Sequence, residues 1–134
     1  VASRLRSKIE EMTGRKIPLG LLDVTFYRDD FRERLIRPQV KGTEIPFSID
    51  GLTLILVDDV LYTGRTIRAA LDEIMDFGRP ARVVVAVLID RGHREMPVRS
   101  DFVGKNVPTA EKEHVLVRLR EVDGKDEVYL VRYD

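Results

Sequence analysis

At 134 residues and 43% apolar composition, the chain has the length of one domain, given roughly 100–200 residues per domain, and enough apolar side chains for one core. Its 23 Lys plus Arg residues balance 23 Asp plus Glu residues, which excludes a globally basic nucleic-acid binder and a strongly acidic disordered chain; any polyanionic partner has to meet a local patch. Without Cys there is no disulfide, thiolate nucleophile or Cys-ligated metal, and His93 and His114 are too few to hold zinc by themselves. No apolar run approaches the ~18 to 20 residues of a membrane span, and the charged, amphipathic start at Val1 is unlike a signal peptide, so the chain reads as cytoplasmic with no membrane partner.

Ala2, Leu5, Ile9 and Met12 recur at helical spacing and Gly14 can close that helix. Leu19 to Tyr27 is a short apolar strand candidate. Arg28 to Lys41 follows as a charged stretch with five bases and three acids, broken by Pro38 and bounded by Gly42, and such a long loop is uncommon unless it binds or covers something. Leu52 to Val57 is a continuous apolar run suited to a strand buried in a parallel sheet. Ile67, Ala70, Leu71, Ile74 and Met75 then mark one face of a helix that stops at Gly78 and Pro80. Arg82 to Ile89 is a second buried strand, so residues 52–89 form a βαβ unit and the core is α/β. His114 to Arg120 and Val128 to Tyr133, separated by Asp123-Gly124, predict a terminal antiparallel hairpin that adds strands to the sheet, with His114 a structural residue inside it.

Charge is segregated along this order: residues 42–90 carry four bases and eight acids, whereas residues 91–105 carry four bases and two acids. A solvated face and an anion-binding surface are both compatible with that pattern.

The chemistry concentrates in Leu54-Ile55-Leu56-Val57-Asp58-Asp59-Val60-Leu61-Tyr62-Thr63-Gly64-Arg65-Thr66. Ligands of open α/β sheets bind at the carboxyl ends of the strands, and this string puts two carboxylates there, then a hydroxyl- and Gly-containing turn, then a helix N-terminus. The backbone N–H groups of Thr63 to Thr66 and the helix dipole suit a phosphate; Asp58 and Asp59 can accept hydrogen bonds from vicinal hydroxyls. A phosphorylated ribose spans both halves. A plain turn with a helix cap is the structural alternative. A Walker-type magnesium site lacks its G-x-x-x-x-G-K-[ST] partner, and a phospho-receiver pocket with Asp90 as third carboxylate leaves the Thr-Gly-Arg-Thr turn without a role.

Those residues together resemble the phosphoribosyl diphosphate (PRPP) signature of type I phosphoribosyltransferases. Thr25-Phe26-Tyr27-Arg28-Asp29-Asp30, Val57 to Thr66, Asp90 to Arg99 and Gly104 to Thr109 resemble, more narrowly, the bifunctional pyrimidine operon regulators that carry uracil phosphoribosyltransferase activity. The resemblance implies a parallel sheet flanked by helices with a C-terminal antiparallel hairpin. It implies conversion of uracil and PRPP to UMP and diphosphate, with Mg²⁺ carried by PRPP and no direct protein metal ligand. It also implies binding of pyrimidine operon leader RNA in response to UMP or UTP, as a homodimer or higher homo-oligomer.

Carried over residue by residue, the resemblance places Leu54 to Thr66 at PRPP or nucleotide, with Asp58 and Asp59 on the ribose hydroxyls and Thr63, Gly64, Arg65 and Thr66 on the 5-phosphate. Arg28 would lie at the base of a loop closing over diphosphate. Asp90 and Arg91 would lie on the base side, and His93, Arg94, Arg99 and Lys105 at RNA. The family opens with a further strand and a Gly- and Arg-containing diphosphate loop to which nothing here corresponds, so residues 1–134 are expected to be one phosphoribosyltransferase-like domain without that segment. The alternatives are salvage of a purine or other base without RNA binding, and a nucleotide-sensing RNA binder without catalysis.

Overall fold

The computed structural model describes residues 1–24 and 43–132. Helix α1 spans Ala2–Thr13 and ends on Gly14, which at φ 69° takes the left-handed conformation and donates its N–H to the Glu10 carbonyl. Leu5 and Ile9 are half-buried, but Met12, expected on the same face, is 84% exposed. The strand expected at Leu19–Tyr27 is reduced, over its described part, to one antiparallel bridge in which Leu21 and Glu44 exchange hydrogen bonds of 2.8 Å. Residues 25–27, the charged stretch Arg28 to Lys41 and its Arg28 lie outside the described residues.

Strand β1 (Thr53–Leu61), helix α2 (Arg65–Phe77) and strand β2 (Arg82–Asp90) form the expected βαβ unit, with β1 and β2 parallel from Thr53↔Arg82 to Leu61↔Asp90. β1 runs four residues beyond the apolar run because its parallel pairing with β2 continues to Leu61↔Asp90, and within that extension the Asp59 N–H donates to Asp58 Oδ1 at 2.8 Å and the Val60 N–H to Asp59 Oδ1 at 2.7 Å. Leu61, Ile67, Val85 and Val87 make the buried cluster, with Leu56, Leu71, Val98 and Val103 against it. Each fully buried aliphatic side chain there contributes about 1.5–3 kcal/mol.

α2 buries Ile67, Ala70 and Ile74 as the periodicity predicts, whereas Met75 is 57% exposed and Glu73 only 1% exposed. The buried stripe therefore lies slightly to one side of the apolar one. Glu73 accepts a hydrogen bond from the Thr43 hydroxyl. Burial pushes its carboxyl above the usual range, Thr43 opposes this, and Asp23 and Asp76 add to it.

A third parallel strand, β3 (Phe102–Asn106), was not among the sequence expectations; it pairs with β2 from Ala86↔Phe102 to Asp90↔Asn106, giving the order β1-β2-β3. Strands β4 (Glu113–Arg118) and β5 (Glu127–Arg132) form the antiparallel hairpin in register from Glu113↔Arg132 to Arg118↔Glu127. The hairpin is a separate two-stranded sheet, so it does not extend the parallel one as expected. Its connection contains a single helical turn, α3 (Arg120–Asp123), closed by Gly124 at φ 78°. Arg4 of α1 reaches Glu121 at 2.6 Å and Asp126 at 3.0 Å, tying the first helix to this connection.

Gly104 explains why so short and polar a segment can be a strand: a Cβ there would stand 2.6 Å from the Leu88 carbonyl oxygen of β2. Gly104→Ala is expected to destabilise the protein by about 1–3 kcal/mol, read as a lower midpoint in thermal unfolding followed by circular dichroism.

Candidate functional site

The parallel register sets Leu61, Asp90 and Asn106 side by side at the carboxyl end of the sheet. Every group of interest hangs from that row. Beyond Leu61 the chain bends through Tyr62, Thr63 and Gly64 into α2. Gly64 takes φ 92° and is buried, and a Cβ on it would lie 3.2 Å from Met96 Cβ and 3.3 Å from Val98 Cβ. Glycine is thus required twice, by conformation and by the close passage of the loop from β2. Thr63 Oγ1 accepts the Arg65 N–H at 3.2 Å, holding the turn into the helix. The Thr63 carbonyl accepts the N–H groups of Glu95 and Met96 at 2.8 and 3.0 Å, which staples that loop to the turn.

Asp90 is the hub of the other side. Its Oδ2 accepts from Arg94 Nη2 at 2.5 Å and its Oδ1 from the Gly92 N–H at 3.0 Å. Burial pushes the Asp90 carboxyl up, but the Arg94 hydrogen bond, the Gly92 N–H and the Arg94 charge together outweigh it and hold the carboxyl below its usual value. Arg94 also donates to the Tyr62 carbonyl at 2.7 Å and to the Val98 carbonyl at 2.8 Å. Arg94, which the family resemblance puts at RNA, thus has three of its five N–H donors bonded within the protein.

Arg91 is only 4% exposed: it donates to Thr109 Oγ1 at 3.1 Å and to the Glu113 carbonyl at 2.5 Å, and its guanidinium carbon lies 3.9 Å from the Tyr62 ring centroid. A desolvated cation over an aromatic face with two acceptors is a structural clamp. His93, at φ 64°, meets the Tyr62 ring edge-on at 5.7 Å and pairs Nε2 with the Thr109 carbonyl at 2.5 Å. Asp90, Arg91, His93, Asn106 and Thr109 are among the residues around a cavity of about 480 Å³, large enough for a heterocyclic base. Another groove, of about 370 Å³, is apolar and lies between α1 and β1, away from the carboxylates.

The structure thus brings Asp58, Asp59, Val60 to Thr66, Asp90, Arg91, His93 and Arg94 to one end of the sheet. Leu54, Ile55, Leu56 and Val57 lie in the body of β1, with Ile55 exposed and the others half-buried. Arg99 is exposed in the loop before β3, and Lys105 is exposed within β3 beside Ile89. Asn106 and Thr109 were not singled out from the sequence, since only the third strand's register and the Arg91 clamp give them their place. Among the described residues no group of three or more His, Cys, Asp or Glu side chains is arranged to hold a metal, and no described helix is long and apolar enough to cross a membrane.

A family model for the phosphoribosyl transferase domain matches residues 1–121. The protein named Bifunctional protein PyrR in Chloroflexus aurantiacus is 59% identical over 132 residues, covering 98% of this chain and 72% of that protein. The chain belongs to the PyrR family of phosphoribosyltransferase-domain proteins. The Thermus aquaticus protein of the same name is 58% identical over 130 residues, covering 97% of this chain and 72% of its own length. A solved hypoxanthine phosphoribosyltransferase from Trypanosoma cruzi superposes with a TM-score of 0.53 at 22% identity, over 68% of this chain and 49% of that one, which is a likeness of fold.

Removing the Arg94 guanidinium leaves Asp90 in the same partly buried place without its main counter-charge. In the native chain the lowered carboxyl contributes stability that is present above the unfolded-state value and lost as pH falls through the lower folded one. In Arg94→Ala the Asp90 carboxyl is expected to titrate above its ordinary value, reversing that contribution, as followed by ¹³C NMR of the carboxyl during a pH titration.

Proposed function

We propose that this chain is the phosphoribosyltransferase-like domain of a cytoplasmic pyrimidine regulator that binds PRPP, uracil and UMP or UTP, transfers the phosphoribosyl group to uracil, and binds pyrimidine operon leader RNA. The observation that carries the reading is the single row at the sheet edge: the Asp58-to-Thr66 string on one strand and, across Asp90, a base-sized cavity on the next two. The helix N-terminus at the start of α2, where the Arg65 N–H is already bonded to Thr63 Oγ1, receives the 5-phosphate, the carboxylates of Asp58 and Asp59 receive the ribose hydroxyls, and the cavity beside Asp90 and Asn106 receives the base. Arg28 is assigned to the diphosphate side.

Transfer needs no covalent nucleophile. The sugar gains positive character as its bond to diphosphate lengthens, and what the protein supplies is alignment of base against ribose and electrostatic complementarity. Mg²⁺ would arrive on PRPP, held by the oxygens of the diphosphate itself with no direct protein ligand. Carried in this way, Mg²⁺ would offset the negative charge of the departing diphosphate. Asp90 and the buried Arg91 act by shaping the cavity, one through Arg94 and the other through Thr109.

For RNA, the net charge of zero requires an assembled patch, and exposed Arg99 and Lys105 with His93 provide it, while Arg94 supports the same loop from beneath. A homodimer or higher homo-oligomer multiplies that patch without changing composition.

Asp59→Asn is expected to weaken PRPP binding about 10- to 100-fold, the loss of charge-assisted hydrogen bonds, and to leave RNA affinity within about twofold; calorimetry and filter binding check the two, and equal losses in a folded variant would contradict separate sites. Lys105→Ala is expected to reduce the salt slope of leader-RNA binding by roughly 0.7 to 0.9 per site, measured by titration at several salt concentrations.

A further inference from the structure

Arg65 is the first residue of α2, and its side chain, with five N–H donors, leaves the turn that the proposed function gives to a phosphate. Among the described residues its side chain makes one contact, Nε to Glu95 Oε1 at 2.8 Å. The edge formed by Nη1 and Nη2 therefore donates to no described protein atom. That edge is the one a guanidinium presents to two phosphate oxygens side by side. A carboxylate competing for the phosphate's place would take the same two nitrogens; Glu95 takes the third, which aims the guanidinium and leaves its fork open.

The other end of the pair is fixed independently. The Glu95 N–H donates to the Thr63 carbonyl at 2.8 Å and the Met96 N–H to the same oxygen at 3.0 Å, so Glu95 and Arg65 are both anchored to one turn. Met96 and Val98 also close over Gly64. Both side chains are more than half exposed, so their pairing is worth little as stability. Its use lies in limiting where a long, rotamer-rich side chain points.

We propose that Glu95 is a positioning residue for Arg65, holding its guanidinium so that the open Nη1–Nη2 edge meets the phosphate of a 5-phosphorylated nucleoside at the start of α2. The proposal rests on the phosphate reading of Thr63 to Thr66. It predicts a sign opposite to simple electrostatics, because deleting a carboxylate near an anion tightens binding through charge alone, whereas deleting a buttress loosens it.

The test is calorimetric titration of the 134-residue chain with UMP and, in parallel, with uridine. Glu95→Ala is expected to raise the UMP dissociation constant about two- to fivefold and leave uridine binding unchanged. Glu95→Gln keeps an oxygen acceptor for Nε and is expected to bind UMP at least as tightly as the native chain. In an Arg65→Ala background, Glu95→Ala is expected to cost nothing further. Tighter UMP binding by Glu95→Ala, or the same loss with Arg65 already removed, overturns the proposal while leaving the phosphate reading in place. A native chain that binds UMP no better than uridine overturns the phosphate reading, and the role of Glu95 with it.

Discussion

Arg94 donates to the Tyr62 carbonyl, the Asp90 carboxylate and the Val98 carbonyl, and those acceptors belong to the turn after β1, the end of β2 and the loop leading to β3. One planar, permanently charged group therefore joins three segments at this edge, beside the backbone bonds by which Glu95 and Met96 hold the Thr63 carbonyl. Lysine could not replace it, since a single ammonium cannot reach three divergent acceptors in one plane. The lowered Asp90 carboxyl keeps that network charged at neutral pH.

Rigidity at this edge has a chemical purpose. A reaction that proceeds by separating a sugar cation from diphosphate depends on groups already in place, because reorganising them during the reaction would forfeit their electrostatic advantage. The Thr63 carbonyl stapled by two N–H groups, the glycine wedged under Met96 and Val98, and Arg91 clamped between Tyr62, Thr109 and the Glu113 carbonyl all restrict motion where a nucleotide is proposed to sit. The same loop leads to exposed Arg99 and, in β3, to Lys105. The proposed nucleotide and RNA surfaces would thus share a piece of backbone, a physical route for coupling between them.

The βαβ unit was legible because Leu52 to Val57 and Arg82 to Ile89 are almost wholly apolar and because Ile67, Ala70 and Ile74 recur at helical spacing; the burial expected of both strands holds for β2, whereas in β1 and the residue before it Leu52 is 41% and Ile55 48% exposed and no residue of the apolar run is fully buried. The turn was legible because Gly64 and the paired acids have few structural reasons to occur together after such a strand. β3 was not: Phe102-Val103-Gly104-Lys105-Asn106 has neither an apolar run nor a clean alternation, and its strand conformation comes from pairing with β2, where Gly104 passes the Leu88 carbonyl. The separate hairpin was foreseen as a hairpin but not as a sheet of its own, since local turn chemistry carries no information about which edge it meets. Met75 is exposed and Glu73 buried for a related reason: a polar partner, Thr43, comes from a distant segment on one flank of α2. The Arg94 bond to the Tyr62 carbonyl and the burial of Arg91 are also long-range facts, invisible in a loop that reads simply as basic.

The central claim is that nucleotide binds across the row formed by the ends of β1, β2 and β3. Its most direct measurement is a ¹H–¹⁵N correlation spectrum of the chain titrated with UMP. The account predicts that the amide shifts concentrate in residues 58–66 and 90–96 and at Asn106, with the hairpin of β4 and β5 unmoved beyond Glu113. Shifts confined to the apolar groove between α1 and β1 or to the hairpin, with residues 58–66 unchanged at saturating UMP, would contradict it.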